Sequence, residues 1–185
     1  MSAVLISLLA VLAVLSIWGV SQYNALVSLS NGVDAAWSNI DAQITRRADL
    51  IPNLVETVKG YAEHEKGTLD AVVSARALAM GAKDPAAVAA ADGALTGALR
   101  QLFALAESYP QLRANENFLQ LQGELARLED AIAGYRQIYN TAVKDLNTKR
   151  EVFPTNLVVA MFSKFKAREY FEATEDERKK PIVSF

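Results

Sequence analysis

No lysine, arginine, aspartate or glutamate occurs before Asp34, and residues 3–20 are apolar apart from Ser7, Ser16 and Gly19. At about 1.5 Å per residue a helix over that run reaches roughly 27 Å, close to the hydrocarbon thickness of a bilayer. The pattern predicts a transmembrane anchor over residues 1–23, with Trp18 and Tyr23 placed as an aromatic belt. A cleaved secretory signal fits less well. No basic side chain precedes the run, and Ser21-Gln22-Tyr23-Asn24 contains no small-x-small cleavage site.

Beyond the anchor the apolar positions fall into steps of three and four. Val33, Trp37, Ile40, Ile44, Ala48, Ile51, Val55, Val58 and Ala62 form a stripe along one face of a long helix. Pro52 interrupts it. Proline has no N–H to give to Ala48 and crowds that carbonyl, which predicts a kink or a fresh helix start.

A second helix is expected over residues 68–80, with Leu69, Val72, Val73, Ala75 and Leu78 inward. Asp84-Pro85 is an N-cap followed by proline at the first helical position. It opens an Ala-rich helix running to Tyr109, with Leu95, Leu99, Leu102, Phe103 and Ala106 inward and Pro110 as its stop. Gly93 and Gly97 make this helix thin enough for another backbone to approach.

The clearest periodicity lies over residues 116–151: Phe118, Leu121, Leu125, Leu128, Ile132, Tyr135, Tyr139, Val143 and Leu146. Such spacing belongs to antiparallel bundle or coiled-coil packing. A buried Asn140 or Asn147 beside this seam would fix register. Phe153-Pro154 closes the helix, and a shorter apolar one follows over residues 156–165. The fold class is all-α: an N-terminal transmembrane helix, then an elongated antiparallel bundle of about four helices. The expected divisions are 1–23 anchor, 24–170 bundle and 171–185 charged tail.

Net charge −2 and a pI near 5.5 give no basic footprint for nucleic acid. Zero cysteines exclude disulfides and thiolate metal sites. The one histidine, His64, lies between Glu63 and Glu65. Neighbours on a helix diverge by about 100°, so these three do not converge on a metal. No H-E-x-x-H, Walker or dinucleotide glycine pattern occurs. No catalytic residue, cofactor site or metal site is assigned.

Residues 46–55 mix both charge signs with a proline on an amphipathic face. They read either as a specific polar network or partner surface, or as Arg46 and Arg47 in solvent with Asp49 capping the turn ahead of Pro52. The stripe from Val33 to Ala62 covers about 45 Å, against about 20 Å for the following helix. Residues 33–44 are therefore expected to stay uncovered in one subunit and to meet a neighbouring copy. The interaction set is Val33, Trp37, Ile40, Ile44, Arg46, Arg47 and Asp49.

Taken in order, several pieces resemble the LemA family of bacterial membrane proteins. They are the uncharged span, Tyr23-Asn24, Ala36-Trp37 and the block from Arg46-Arg47-Ala48-Asp49-Leu50-Ile51-Pro52-Asn53-Leu54-Val55 through Gly60-Tyr61. His64-Glu65, Ala75-Arg76, Glu107-Ser108-Tyr109-Pro110, Leu119 to Leu125, Glu129, Tyr139-Asn140 and Phe153-Pro154 continue it. The resemblance implies a single-pass protein with a short N-terminus outside and an antiparallel bundle. It supplies no catalytic residue, and the Ala-rich stretch over residues 81–92 is where variation is expected.

The function expected from these readings is a non-enzymatic scaffold at the bacterial inner membrane that self-assembles or binds partners, with a cytoplasmic soluble domain. The alternative is an accessory or sensing subunit of a membrane protease or envelope-stress signalling system. Expected partners are the lipid bilayer, further copies of the chain and a membrane protein, with no nucleic acid.

Overall fold

The computed structural model describes residues 2–172, so of the charged tail expected over residues 171–185 all but Phe171 and Glu172 lies outside the described residues, and Phe171 is buried. The helices are α1 (Ser2–Lys59), α2 (Lys66–Gly81), α3 (Pro85–Ala106), α4 (Pro110–Arg113), α5 (Glu116–Glu151) and α6 (Thr155–Met161). No strand occurs among the described residues, and the fold is all-α. The chain divides into two compact units: residues 2–37 with 138–169, and residues 38–137 with 170–172.

The first unit holds the start of α1, the end of α5, and α6. None of the most apolar 18-residue window of α1 is buried. Leu9 and Ile17 are 58% and 71% exposed. A row of large apolar side chains without a protein partner needs a non-aqueous solvent. Ser7 Oγ and Ser16 Oγ donate to the carbonyls of Val4 and Leu12 at 2.9 and 2.8 Å, so the polar breaks in the run are satisfied by their own helix.

Further along α1, Leu26 and Val33 are buried, as are Tyr139, Val143 and Leu146 of α5 and Val158 of α6. Gln22 meets Thr155 and Trp37 meets Tyr139, so α1 rises in number as α5 and α6 descend. The segment after α6 straps back along α5. Arg150 Nε donates to Phe165 O at 2.9 Å. The Asn147 amide donates to Arg168 O, and its oxygen accepts from Arg168 N. Asn147 thus fixes the course of the strap.

The second unit is an antiparallel four-helix bundle of α1, α2, α3 and α5. Arg47 meets Glu129 while Tyr61 meets Asn115, and Asp92 meets Arg136 while Phe103 meets Phe118. Both α1 and α3 therefore run against α5. Its core is Ile40, Ile44, Ala48, Ile51, Leu54 and Val58 of α1, with Leu69 and Val72 of α2, Leu95, Leu99 and Leu102 of α3, and Phe118, Leu125 and Ile132 of α5.

Caps set two of the helix starts. Asp84 accepts from Ala87 N at 2.8 Å with Pro85 behind it, and Asn115 accepts from Phe118 N at 3.0 Å.

Several expectations are corrected. The stripe over residues 33–44 is not left uncovered: Val33, Ile40 and Ile44 are at most 5% exposed within one chain, and Trp37 is half-buried against Tyr139. At the start of this stretch Trp37 packs on Tyr139 of α5 and Asp34 pairs with Arg168 beyond α6. Ile40→Asp is therefore expected to unfold the bundle, not merely to separate copies. Pro52 does not end α1, which continues to Lys59, so Asp49 is an exposed mid-helix residue and not a cap.

On α2, Val73 and Leu78 face outward while Ala79 is buried. Pro110 opens the short α4 as well as ending α3. A Cβ at Gly97 would meet nothing within 4 Å, so no backbone uses that gap. Gly97→Ala is expected to raise stability by about 0.5–1 kcal/mol through helix propensity alone, measured by thermal unfolding.

Candidate functional site

Arg47 lies three residues after Ile44 and four before Ile51, on the face that α1 turns inward. It is 1% exposed. Its Nη1 donates to Asp92 Oδ1 at 2.6 Å, and its Nη2 donates to Thr96 Oγ1 at 2.9 Å and reaches Glu129 Oε2 at 3.4 Å. Asp92 is also buried, and its Oδ2 accepts from Arg136 Nη2 at 2.6 Å. The Arg136 guanidinium lies 4.4 Å from the centroid of the Phe171 ring. Four charges and a hydroxyl from α1, α3 and α5 thus meet at one level of the bundle.

Each oxygen of Asp92 is held by an arginine. Arg47 Nε is buried without an acceptor among the described residues. An incompletely satisfied network adds less to stability than its distances imply. Its stronger effect is on pairing, because any register that separates Arg47 from Asp92 strands a buried charge.

A second lock follows from Pro52. Its missing N–H leaves the Ala48 carbonyl without its helical donor, and Ala48 is fully buried. Arg76 on α2 supplies the replacement, its Nε donating to Ala48 O at 2.8 Å. Arg76→Met is expected to cost about 1–3 kcal/mol by orphaning that carbonyl. In a Pro52→Ala background, where the helix restores its own bond, the same change is expected to cost much less. Equal losses in both backgrounds, read by thermal unfolding, contradict this pairing.

At the far end of the second unit Asn115 Nδ2 donates to Tyr61 OH, and Tyr109 OH donates to Glu65 Oε1, both at 3.1 Å. In the first unit Tyr139 OH donates to Glu169 O at 3.0 Å. The bond to Glu65 raises the Tyr109 pKa, since the carboxylate favours the protonated phenol, and burial raises that of Tyr139. Groups raised in the folded state stabilise it below their unfolded pKa of about 10 and lose that contribution as pH climbs through the folded value. Tyr139→Phe is expected to flatten the alkaline decline of the melting temperature above about pH 10.

Of the expected interaction residues, the structure brings Arg47 into the polar network, buries Val33, Ile40 and Ile44 in the core, and leaves Arg46 and Asp49 exposed. Asp92, Thr96 and Arg136 were not among them. The legible signal was Asp92 itself, in step with Val88, Leu95 and Leu99 on an otherwise apolar face. On the outer side of the second unit, Leu50, Asn53 and Thr57 of α1 and Asn117, Gln120 and Glu124 of α5 border a groove of about 380 Å³.

Arg47, Tyr61, Glu65, Arg76, Tyr109, Glu129 and Tyr139 belong to the pieces that gave the resemblance, whereas Asp92, Thr96 and Arg136 do not, and a separate comparison points to the same family. A sequence profile of the LemA family matches residues 36–185. The chain belongs to the LemA family.

Magnetosome protein MamQ 2 of Paramagnetospirillum magneticum is 29% identical over 180 residues, covering 82% of this chain and 65% of its own length. Magnetosome protein MamQ of Magnetospirillum gryphiswaldense is 26% identical over 176 residues, covering 81% and 64%. Protein LemA of Metamycoplasma hominis is 28% identical over 163 residues, covering 86% and 73%. The chain spans less than two thirds of the length of these magnetosome relatives. None of the three names is that of an enzyme. With the uncovered apolar helix, the relatives support a membrane-associated LemA-family protein.

Proposed function

We propose that this LemA-family protein is a non-enzymatic scaffold, anchored in the cell membrane by the N-terminal part of α1, whose bundle self-assembles or binds partner proteins there. The observation that carries the reading is how the motif side chains are used. Arg47, Arg76, Glu129, Tyr61, Glu65, Tyr109 and Tyr139 each contact groups of their own unit of the fold. A motif occupied in this way builds a rigid surface instead of presenting reactive groups. Relatives named for the magnetosome fit a bundle reused in different membrane settings.

The soluble part is on the cytoplasmic side in this reading. Arg46 and Arg47 lie too far along the chain to mark an inside loop. Folding brings other cations closer: Lys164 contacts Tyr23 and Arg168 pairs with Asp34 at 2.8 Å. Cations gathered beside one end of a span favour the leaflet facing the cytoplasm.

The anchor and its orientation are tested together. Leu9→Arg places a charge mid-span, at a cost of about 2.5–3.5 kcal/mol on insertion scales, and is expected to move protein out of the membrane fraction. A cytoplasm-dependent reporter fused at Phe185 is expected to be active. Wild-type protein found wholly in the soluble fraction contradicts the anchor, and a reporter active only outside contradicts the orientation.

A further inference from the structure

In the first unit the span is accompanied at one end. A groove of about 540 Å³ separates α1 from α6, walled by Leu12, Leu15, Trp18, Leu157, Met161 and Phe162. One wall is the surface that α1 turns to lipid. The other belongs to a 7-residue helix that buries only Thr155 and Val158. Phe153, Leu157 and Met161 are 78%, 56% and 77% exposed. A helix packed for water places such side chains inside.

The charge pattern is one-sided. No aspartate or glutamate occurs over residues 152–168, whereas Lys164, Lys166 and Arg168 do. Lys164 Nζ donates to Tyr23 OH at 2.5 Å and lies 4.4 Å from that ring's centroid and 5.0 Å from that of Phe165. Tyr23 packs edge-on against Phe162 and Phe165 at 4.8 and 5.5 Å. Apolar walls, an aromatic rim and then ammonium groups repeat the order of hydrocarbon, interface and headgroup in one leaflet.

We propose that α6 and residues 162–166 lie in the membrane interface beside the span. The groove holds an acyl chain of an anionic phospholipid, and the headgroup meets Lys164 and Lys166. The inference rests on α1 being a span, and the surface of that span continues into the groove, where the Ser16 hydroxyl is satisfied by the Leu12 carbonyl. The groove's volume is in the range of about 300–1,000 Å³ usual for small-molecule sites. Seven residues are too few to hold a membrane alone, but insertion of α1 already presents α6 to the bilayer at high effective concentration.

The chain has no native cysteine, so single-site labels are unambiguous. Full-length protein carrying a nitroxide at Leu9→Cys, Met161→Cys or Gly123→Cys is reconstituted in phosphatidylcholine vesicles with phosphatidylglycerol. The Leu9 and Met161 labels are expected to collide with dissolved oxygen and to be shielded from a water-soluble nickel chelate. The Gly123 label, at an exposed site on α5, is expected to do the reverse.

A water-exposed Leu9 label overturns the span and this inference with it. A shielded Leu9 label with a nickel-accessible Met161 label overturns this inference alone. A Met161 label shielded from both quenchers places protein in the groove and also overturns it.

The headgroup is read by a fluorophore at Met161→Cys. Brominated phosphatidylglycerol is expected to quench it more than brominated phosphatidylcholine, with the preference falling roughly five-fold for each lysine removed in Lys164→Gln and Lys166→Gln. Lys166→Gln alone leaves the Tyr23 contact intact. Equal quenching by the two lipids, or a preference unchanged in the double variant, overturns the anionic occupant.

Discussion

Asp92→Ala is expected to destabilise the bundle by about 3–5 kcal/mol, the usual cost of breaking a buried ion pair from one side. Arg47 is 1% exposed, so its guanidinium would be left buried without the counter-charge that Asp92 holds at bonding distance. Without Asp92 it retains Thr96 and a distant Glu129 carboxylate that is half in water. Arg136 loses the same partner, although its stack on Phe171 and its position nearer solvent soften the loss. In a chain of this size the change corresponds to a fall of about 10 °C in melting temperature, followed by circular dichroism in mild detergent.

Replacing both members, as Arg47→Met with Asp92→Leu, removes the stranded charge and is expected to recover most of the loss. A double variant no better than Asp92→Ala contradicts the pairing as the cause.

Leu125→Ala is expected to cost about 2–5 kcal/mol, because the cavity lies where α5 faces the other three helices of its unit. Leu125 is 2% exposed. Leu119, less than two turns away on the same helix, is 49% exposed, and Leu119→Ala is expected to change stability by about 0.5 kcal/mol or less. The same chemical deletion at a buried and at a half-exposed position of one helix separates burial from helix propensity. Equal melting shifts for the two variants contradict the assigned face of α5.

What the sequence made legible was what repeats locally. Helix α5 appears with the expected ends because its period is unbroken and Asn115 caps its start. The Asp84-Pro85 start of α3 behaves as its chemistry requires. Pro52 misled because a local rule sees a lost hydrogen bond, whereas the fold supplies another donor from Arg76, 28 residues away in sequence.

Arg47 and Asp92 are 45 residues apart, and no local period links them. Each is simply a charge on an apolar stripe until the helices meet. The stripe over residues 33–44 looked uncovered because its length was compared with the next helix alone, whereas Trp37 packs on Tyr139, far along the chain, and Asp34 pairs with Arg168. The groove beside α6 was hidden for the same reason: its two walls are far apart in the chain and adjoin only on folding.

With that stripe buried, the assembly proposed above would use surface that the bundle leaves outside. The mass of the full-length protein, purified from membranes in mild detergent, tests the scaffold reading most directly. Mass photometry with the micelle subtracted is expected to show either a discrete multiple of the 20.1 kDa chain or the chain with a partner in fixed stoichiometry. The first outcome supports self-assembly, the second an accessory role. A lone monomer at every concentration, with no protein held in fixed ratio, contradicts the scaffold.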